Sequence, residues 1–368
     1  MTSTNTTPQL SLVVPTFNEA GNVALLVEKL ENVLSDIAWD ITFVDDNSPD
    51  GTAEIVKELG TKKSNVHCIK RIGRRGLSSA CVEGISSATA PIVAVMDADL
   101  QHDETVLPEM FEKVTGGKDL VLASRFYGGQ TAEQGLTKFR EMGSNVANWI
   151  ANLITGTKIS DPMTGFFMLK RDKFDAVAPN LSSEGFKILL DIIATARNMK
   201  TPLDIGEVGF TFRARYDGES KMSALVAIQF FGLALSKMTG GLLPVSFLLF
   251  AAVGAFGVLV HMAALTAASG WFGFNFTNSQ LFATIVAMTS NFHLNNMLTY
   301  ADRQLRGAKY WRGLASFYAV CAIPAIANVS VAAFIFETNS LFYVAAIAGI
   351  VISMVFNYAM TRIFTWRS

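Results

Sequence analysis

The uneven spread of charged and apolar residues is the feature that most restricts how this chain can fold. Of its 368 residues, 50% are hydrophobic and 17% are charged, and the mean hydropathy is +0.33. Most charged residues precede Leu243, and beyond it they are confined almost entirely to two short basic patches. This distribution predicts a water-exposed domain followed by a membrane domain.

Four apolar runs in the C-terminal part are each long enough to cross the hydrocarbon core of a bilayer. They are Leu243–Ala268, Ser279–Tyr300, Gly313–Phe336 and Leu341–Phe364. We expect four transmembrane helices within a domain at residues 241–368. The uncharged stretch before them predicts an interfacial amphipathic helix at residues 222–240.

The basic residues of the C-terminal part predict the orientation of these helices. The connection between the second and third runs is basic, the C-terminus carries Arg362 and Arg367, and the other two connections carry no Lys or Arg. Basic connections face the cytoplasm, so both termini and the first domain are expected there, in a multi-pass protein of the cell membrane. Residues 1–9 are polar, lack the features of a signal peptide and are expected to be disordered.

The second and fourth runs end in related sequences. NFHLNNMLTY at Asn291–Tyr300 is echoed by NYAMTRIFTW at Asn357–Trp366, and FAAVGAFG from Phe250 is weakly echoed by FYAVCAIP from Phe317. This echo predicts a duplicated two-helix unit, an arrangement found in transporters. Asparagine and histidine inside such helices serve either as functional groups or as contacts between helices, and the sequence leaves both readings open.

Short apolar strands alternate with helices in the N-terminal part. The predicted strands are Leu10–Phe17, Ile41–Val44, Val66–Lys70, Ile92–Met96 and Leu120–Ala123. This alternation predicts an α/β domain with a mostly parallel sheet covered by helices on both faces. Ligands of such sheets bind beyond the carboxyl ends of the strands. Polar clusters follow four of these ends: Asn18-Glu19, Asp45-Asp46, Asp97 to Gln101 and Arg125.

The central apolar strand is followed by Asp97, Asp99 and Gln101. Residues two apart in an extended segment share a face, so we expect these side chains to point toward one place. Oxygen ligands at this spacing suit a hard cation such as Mg2+ or Mn2+, which can hold phosphate oxygens.

Two later segments add basic and hydroxyl groups. Arg140 and Ser144 lie four residues apart on the predicted helix Thr137–Ile154 and so share a face. Arg213 and Lys221 flank a glycine-containing loop.

Charge and cysteine content exclude some classes of protein. The net charge is −1, so no nucleic-acid partner is expected. The three cysteines are widely spaced and without a CxxC pair, which argues against both a disulfide framework and a zinc site.

Six motifs together resemble the family 2 glycosyltransferases with a GT-A (Rossmann-like) fold, of the polyprenol-phosphate mannose or glucose synthase type. The motifs are VVPTFNE (Val13–Glu19), VDDNSPDGT (Val44–Thr52), DADLQH (Asp97–His102), SRF (Ser124–Phe126), DPMTGF (Asp161–Phe166) and the loop Arg213–Lys221. The resemblance implies a cytoplasmic GT-A domain at residues 10–221, and the membrane part resembles the four-helix GtrA-like module. Phe17 stands where this family usually has Tyr, and Thr164 where Ser is common.

The resemblance also implies roles for residues that match its motifs. Five would hold the nucleotide base and ribose: Pro15, Phe17, Glu19, Val44 and Asp46. Four would contact the diphosphate and metal: Asp97, Ala98, Asp99 and Gln101, of which Asp97, Asp99 and Gln101 are the expected metal ligands. Three would grip the acceptor phosphate: Arg125, Arg140 and Ser144. Arg213 and Lys221 would close over the donor diphosphate.

The implied reaction is inverting transfer of mannose from GDP-mannose to a polyprenyl monophosphate, with Mg2+ or Mn2+ as cofactor. An acceptor phosphate is already an anionic nucleophile, so no general base is required. Three alternatives stay open at this point: UDP-glucose as the donor, a membrane module that also flips the product, and a module that only anchors the enzyme to the bilayer. A homo-oligomer is also left open.

Overall fold

The computed structural model describes residues 7–127, 151–182, 187–211, 213, 232, 236, 243–322 and 342–366. The chain divides into two compact units, Met1–Leu242 and Leu243–Ser368. The predicted interfacial helix at 222–240 lies outside the described residues except for 232 and 236, and the predicted domain limits stay predictions.

A seven-stranded sheet forms the centre of the N-terminal unit. Its strands are β1 (Leu10–Thr16), β2 (Trp39–Asp45), β3 (Val66–Lys70), β4 (Ile92–Val95), β5 (Leu120–Ser124), β6 (Phe167–Lys170) and β7 (Ile205–Gly209). The order across the sheet is β3-β2-β1-β4-β6-β5-β7. Only β6 runs antiparallel, pairing with β4 and β5, so the prediction of a mostly parallel α/β sheet is confirmed.

Helices cover both faces of this sheet. They are α1 (Val23–Val33), α2 (Thr52–Lys62), α3 (Leu77–Ser87), α4 (Leu107–Thr115), α5 (Arg171–Val177) and α6 (Ile188–Asn198). The pleat sends successive side chains of β1 to opposite faces. Leu12 and Val14 therefore join one hydrophobic core, while Val13 joins the other.

The strand directions bring the candidate site to one edge of the sheet. The parallel strands β1, β2, β4 and β5 all end at this edge. Because β6 runs the opposite way between β4 and β5, the turn Asp161–Phe166 that leads into it lies at the same edge.

The central strand is shorter than expected. β4 ends at Val95 rather than Met96, and Asp97–Gln101 forms a loop instead of a continued strand. Leu100 has a φ of 61°, a conformation that a regular strand does not contain. Helix α4, which the sequence analysis did not predict, follows this loop.

The C-terminal unit is helical. Its elements are α7 (Val245–Gly270), α8 (Phe276–Leu294) with a π-helical turn at Asn295–Thr299, and α9 (Phe342–Phe364); residues 308–322 are also helical. Among the described residues, α7 is the one helix long and apolar enough to qualify as a membrane span by itself. The four-span count stays a prediction, since part of the third run lies outside the described residues.

Residues that match in the sequence echo make matching contacts in this unit. Tyr300 and Trp366 stack with ring centroids 4.3 Å apart. Their backbone amides donate to the carbonyl oxygens five residues earlier, at 2.9 and 3.0 Å. The ring of Phe250 lies 5.8 Å from that of Tyr358, and the corresponding pair Phe292–Phe317 lies 5.7 Å apart. These equivalent contacts support the predicted duplication.

A buried asparagine joins the ends of the two repeats. Asn296 accepts from the backbone amide of Leu305 at 2.8 Å and donates to its carbonyl at 3.1 Å. Its side-chain oxygen also accepts from the indole nitrogen of Trp366 at 3.0 Å. Asn296 therefore connects the two repeats by hydrogen bonds, and this contact favours the structural reading for this residue.

Candidate active site

The loop after β4 carries the predicted metal ligands. Asp97, Asp99 and Gln101 are half-buried, whereas the residues between them, Ala98 and Leu100, are buried. Buried and half-buried residues thus alternate in this loop as they would in a strand, and the three oxygen-bearing residues are the more exposed ones.

Hydrogen bonds fix the conformation of this loop. The Asp97 amide donates to His102 Nδ1 at 3.1 Å, and the Gln101 amide donates to Asp99 Oδ1 at 3.2 Å. The ring of His102 stacks on Phe166, which belongs to the turn before β6. Backbone and ring contacts together therefore hold the carboxylates in place before any ligand binds.

Arg213 lies against the same loop. Its backbone amide donates to Gln101 O at 3.0 Å, and its carbonyl accepts from Gln101 Nε2 at 3.2 Å. Its guanidinium donates to Asp103 at 2.7 Å and to Glu104 at 2.6 Å. The structure thus brings Arg213 next to the predicted metal loop, although here its side chain is bound to carboxylates.

The residues of this loop fit a divalent cation. A Cβ built on Gly165 would stand 3.1 Å from Asp97 Oδ2, so only glycine leaves the carboxylate its present space. No trio of His, Cys, Asp or Glu in the described part of the chain is arranged to hold a metal. Two carboxylates and an amide oxygen instead match a hard cation that takes its remaining ligands from a bound phosphate.

Asp46, at the end of β2, is held by a buried arginine. Arg71 Nη1 donates to Asp46 Oδ1 at 2.6 Å, and the Gly76 amide donates to Oδ2 at 2.8 Å. Arg71 also donates to the Gly76 carbonyl and to Ser79. Burial raises the pKa of Asp46, and the Gly76 hydrogen bond and the Arg71 charge offset only part of this effect.

A cation–π contact closes this side of the site. The guanidinium of Arg75 lies 4.6 Å from the ring centroid of Phe17, a contact that requires the aromatic ring but not the hydroxyl of a tyrosine. Pro15 and Val44 are register partners in β1 and β2. Both side chains are buried, so a ligand would meet the backbone there.

Asp50 ties the loops after β1 and β2 together. It accepts from the Ala20 amide and from both the amide and hydroxyl of Thr52, while the Thr52 hydroxyl accepts from the Glu19 amide at 3.1 Å. Burial raises the pKa of Asp50, but these hydrogen bonds outweigh it, and the net pKa lies below the ordinary value.

At the end of β5, Arg125 is paired with the first residue of the turn before β6. Its Nε and Nη2 donate to the two oxygens of Asp161 at 2.7 and 3.1 Å. Ser160 is fixed by Glu207, which accepts from both its amide and its hydroxyl. Since that hydroxyl proton goes to Glu207, Ser124 must donate in the 2.5 Å contact between the two serine hydroxyls.

Three predicted site residues, Arg140, Ser144 and Lys221, lie outside the described residues. Sequence reasoning missed three others that the structure brings to this edge: Arg71, Arg75 and Glu207. The position of Arg71 gave a usable signal, because it directly follows the apolar strand β3. Glu207 gave none, since its partner lies 47 residues away.

Comparison with known proteins agrees with this geometry. The glycosyl transferase family 2 matches residues 11–178, and the GtrA/DPMS transmembrane domain matches residues 249–366. A dolichol-phosphate mannosyltransferase of Pyrococcus furiosus is 31% identical over 368 residues, covering 98% of this chain and 100% of that protein. The chain belongs to glycosyltransferase family 2. The family resemblance noted in the sequence is thereby confirmed.

Two further matches define the limits of the likeness. A dolichol-phosphate mannosyltransferase of Mycosarcoma maydis is 35% identical over 255 residues, or 67% of this glycosyltransferase and 85% of that protein. The crystal structure of glucosyl-3-phosphoglycerate synthase from Mycobacterium tuberculosis, with Mn2+, UDP-glucose and phosphoglyceric acid, has a TM-score of 0.50 at 16% identity. It covers 63% of this chain and 80% of that chain, and the likeness establishes a shared fold alone.

Proposed function

We propose that this glycosyltransferase transfers mannose from GDP-mannose to a polyprenyl monophosphate at the cytoplasmic face of the membrane. The observation that carries the proposal is the similarity over the full length to a dolichol-phosphate mannosyltransferase, including the membrane domain. The arrangement of the sheet edge supports it, because acidic and basic groups stand at the ends of neighbouring strands.

The donor binds across the ends of β1, β2 and β4 in this proposal. Phe17 and Arg75 provide a flat surface for the base, and Asp46 and Glu19 accept hydrogen bonds from base and ribose. Asp97, Asp99 and Gln101 would hold Mg2+ or Mn2+, and the bound ion would offset the charge of the leaving nucleoside diphosphate. Arg213 and Lys221 close over the diphosphate.

The acceptor phosphate binds beside Arg125, whose guanidinium Asp161 holds in place. Arginine matches two phosphate oxygens at once, and its charge offsets the repulsion between two anionic substrates. Arg140 and Ser144 complete this site. Aligning the two substrates supplies much of the remaining acceleration. The phosphate attacks the anomeric carbon directly, so we expect inversion in a single displacement, and a covalent glycosyl-enzyme would contradict this.

Transfer assays test the donor and the metal together. Membranes that contain the full chain are given polyprenyl phosphate and either radiolabelled GDP-mannose or UDP-glucose, with Mg2+ or with EDTA. We expect metal-dependent labelling of lipid from GDP-mannose. Labelling from UDP-glucose alone would overturn the choice of sugar, and labelling that persists in EDTA would overturn the metal site.

The duplicated membrane unit favours a second candidate function, movement of the mannosyl lipid across the bilayer, because paired repeats are common in transporters. Proteoliposomes with the full chain and a labelled mannosyl phosphoryl polyprenol test it. Transbilayer movement at the rate of protein-free vesicles would leave anchoring as the role of this unit.

A further inference from the structure

Lys187 is a partly buried lysine near the candidate site that has no role in the reaction proposed above. It directly precedes α6, and its side chain is half-buried. Its ammonium donates to the carbonyl oxygen of Met163 at 3.3 Å. Met163 belongs to the turn Asp161–Phe166, so Lys187 reaches the sheet edge that carries the candidate site.

The turn that Lys187 contacts connects the two halves of this site. Asp161, at its start, binds Arg125 on the acceptor side. Gly165, near its end, lies against the carboxylate of Asp97 on the donor side. Since the ammonium of Lys187 contacts Met163, between these two residues of the turn, it lies near the junction of the two proposed phosphate positions.

The charge of Lys187 is poorly compensated within the described part of the chain. No carboxylate oxygen there lies within the 4.0 Å of an ion pair with its ammonium. A charge removed from water without an ionic partner costs free energy. Burial lowers the pKa of Lys187 first of all, the positive charge of Arg125 lowers it further, and Asp161 and Asp97 oppose both effects.

We infer that Lys187 is a further phosphate-binding residue of this glycosyltransferase, and that its ammonium binds a phosphate oxygen of a substrate. Lysine binds phosphate as a point charge, and a bound anion would offset the cost of keeping this ammonium out of water. This inference rests on the proposed function, and the phosphate comes either from the donor diphosphate or from the acceptor lipid. Either source fits, because the turn that Lys187 contacts also binds Arg125 and adjoins Asp97.

Three variants of the full chain test this role. Lys187→Met keeps the length of the side chain without its charge, and Lys187→Arg restores the charge. Lys173→Met is the matched control, because the Lys173 side chain is 41% exposed and its ammonium lies 3.6 Å from Asp119 Oδ1, away from the site. Kinetics are measured while the donor and the acceptor are varied separately.

We expect Lys187→Met to lower kcat/KM about 10- to 100-fold, the size of a lost hydrogen bond between charged groups. The KM should rise for one substrate, which identifies the phosphate that Lys187 binds. Lys187→Arg should recover part of the loss. The unfolding midpoint of Lys187→Met should equal or exceed that of the wild type, because an uncompensated charge has been removed.

Binding of two simple probes keeps this test separate from the proposed function. Inorganic pyrophosphate stands for the donor and dodecyl phosphate for the acceptor. Weaker binding of either probe to Lys187→Met, at an unchanged midpoint, supports the inference even if the wild type transfers neither mannose nor glucose. Unchanged binding of both probes would overturn it, as would losses accompanied by a lower midpoint, since Lys187 would then act only on the fold.

Discussion

Two arginine–aspartate pairs stand at the same sheet edge, and they differ in how far the arginine is exposed. In the pair Arg71–Asp46, the arginine side chain is 1% exposed and the aspartate 12%. In the pair Arg125–Asp161, the aspartate is 1% exposed and the arginine 33%. Both aspartates are thus largely buried, and of the two arginines it is Arg125 whose guanidinium reaches solvent.

This difference distinguishes an arginine that stabilises the fold from an arginine that we propose binds a substrate phosphate. Arg71 donates hydrogen bonds to Asp46, the Gly76 carbonyl and Ser79, so it orders the loop between β3 and α3. Asp161 fixes the guanidinium of Arg125 by accepting two hydrogen bonds from it. A guanidinium that is fixed in this way, yet one third exposed, is prepared to bind an anion.

Of the changes to these two pairs and their neighbours, loss of Arg125 should have the largest effect on activity. Arg125→Met should lower kcat/KM for the acceptor by about 100- to 1000-fold, because a charge-assisted contact to phosphate is lost where two anions meet. Arg125→Lys keeps the charge but not the fork and should recover only part of this activity. Steady-state kinetics with the acceptor varied make the measurement. Wild-type kinetics in Arg125→Met would remove Arg125 from the acceptor site.

Loss of the buried arginine should act on stability instead. Arg71→Met leaves Asp46 buried without its cation, which costs about 3–5 kcal/mol of unfolding free energy. Arg71 lowers the pKa of Asp46 in the wild type, so its removal raises that pKa. The variant should therefore lose most stability at neutral pH, and the deficit should shrink as the pH falls and Asp46 becomes protonated.

Chemical denaturation of the full chain at several pH values measures this deficit. Lys62→Met is the control, because Lys62 forms an exposed ion pair with Glu58, and exposed pairs contribute little to stability. An Arg71→Met deficit that grows toward acid would contradict the assigned role of the pair.

A smaller effect is expected from Glu207, which fixes Ser160, the residue before Asp161. Glu207→Gln replaces one of the two acceptors for Ser160 by a donor, which should lower the unfolding free energy by about 1–2 kcal/mol. The acceptor KM should rise roughly three- to tenfold, because Ser160 adjoins Asp161 and small displacements weaken alignment. Steady-state kinetics should show a larger rise in the acceptor KM than in the donor KM. An equal rise in both would mean that Glu207 does not act through Arg125.

Local sequence patterns were sufficient to predict most of the N-terminal fold. Strands β1 to β5 follow apolar runs, and their parallel pairing places the polar clusters at one edge as expected. The antiparallel direction of β6 was not predictable, because it depends on pairing with β4 and β5 across long separations in sequence. That reversal is what brings Asp161 to Arg125.

The candidate site shows the same division. The alternation of Asp97, Asp99 and Gln101 was readable, yet the structure realises it in a loop stabilised by His102 and Arg213 rather than in a strand. Contacts such as Ser160 with Glu207 depend on tertiary packing and leave no local pattern. Helix α4 was not predicted, although its buried residues Leu107, Met110 and Val114 have helical spacing.

The most direct test of the account is the metal-dependent transfer of labelled mannose by Asp99→Asn. The control is Asp204→Asn, whose carboxylate pairs with Lys118 at 2.7 Å on the surface. We predict that Asp99→Asn loses at least about 1000-fold in lipid labelling with an unchanged unfolding midpoint, while Asp204→Asn retains wild-type activity. Wild-type labelling by Asp99→Asn, still sensitive to EDTA, would show that the catalytic metal binds elsewhere and contradict the assignment of this sheet edge.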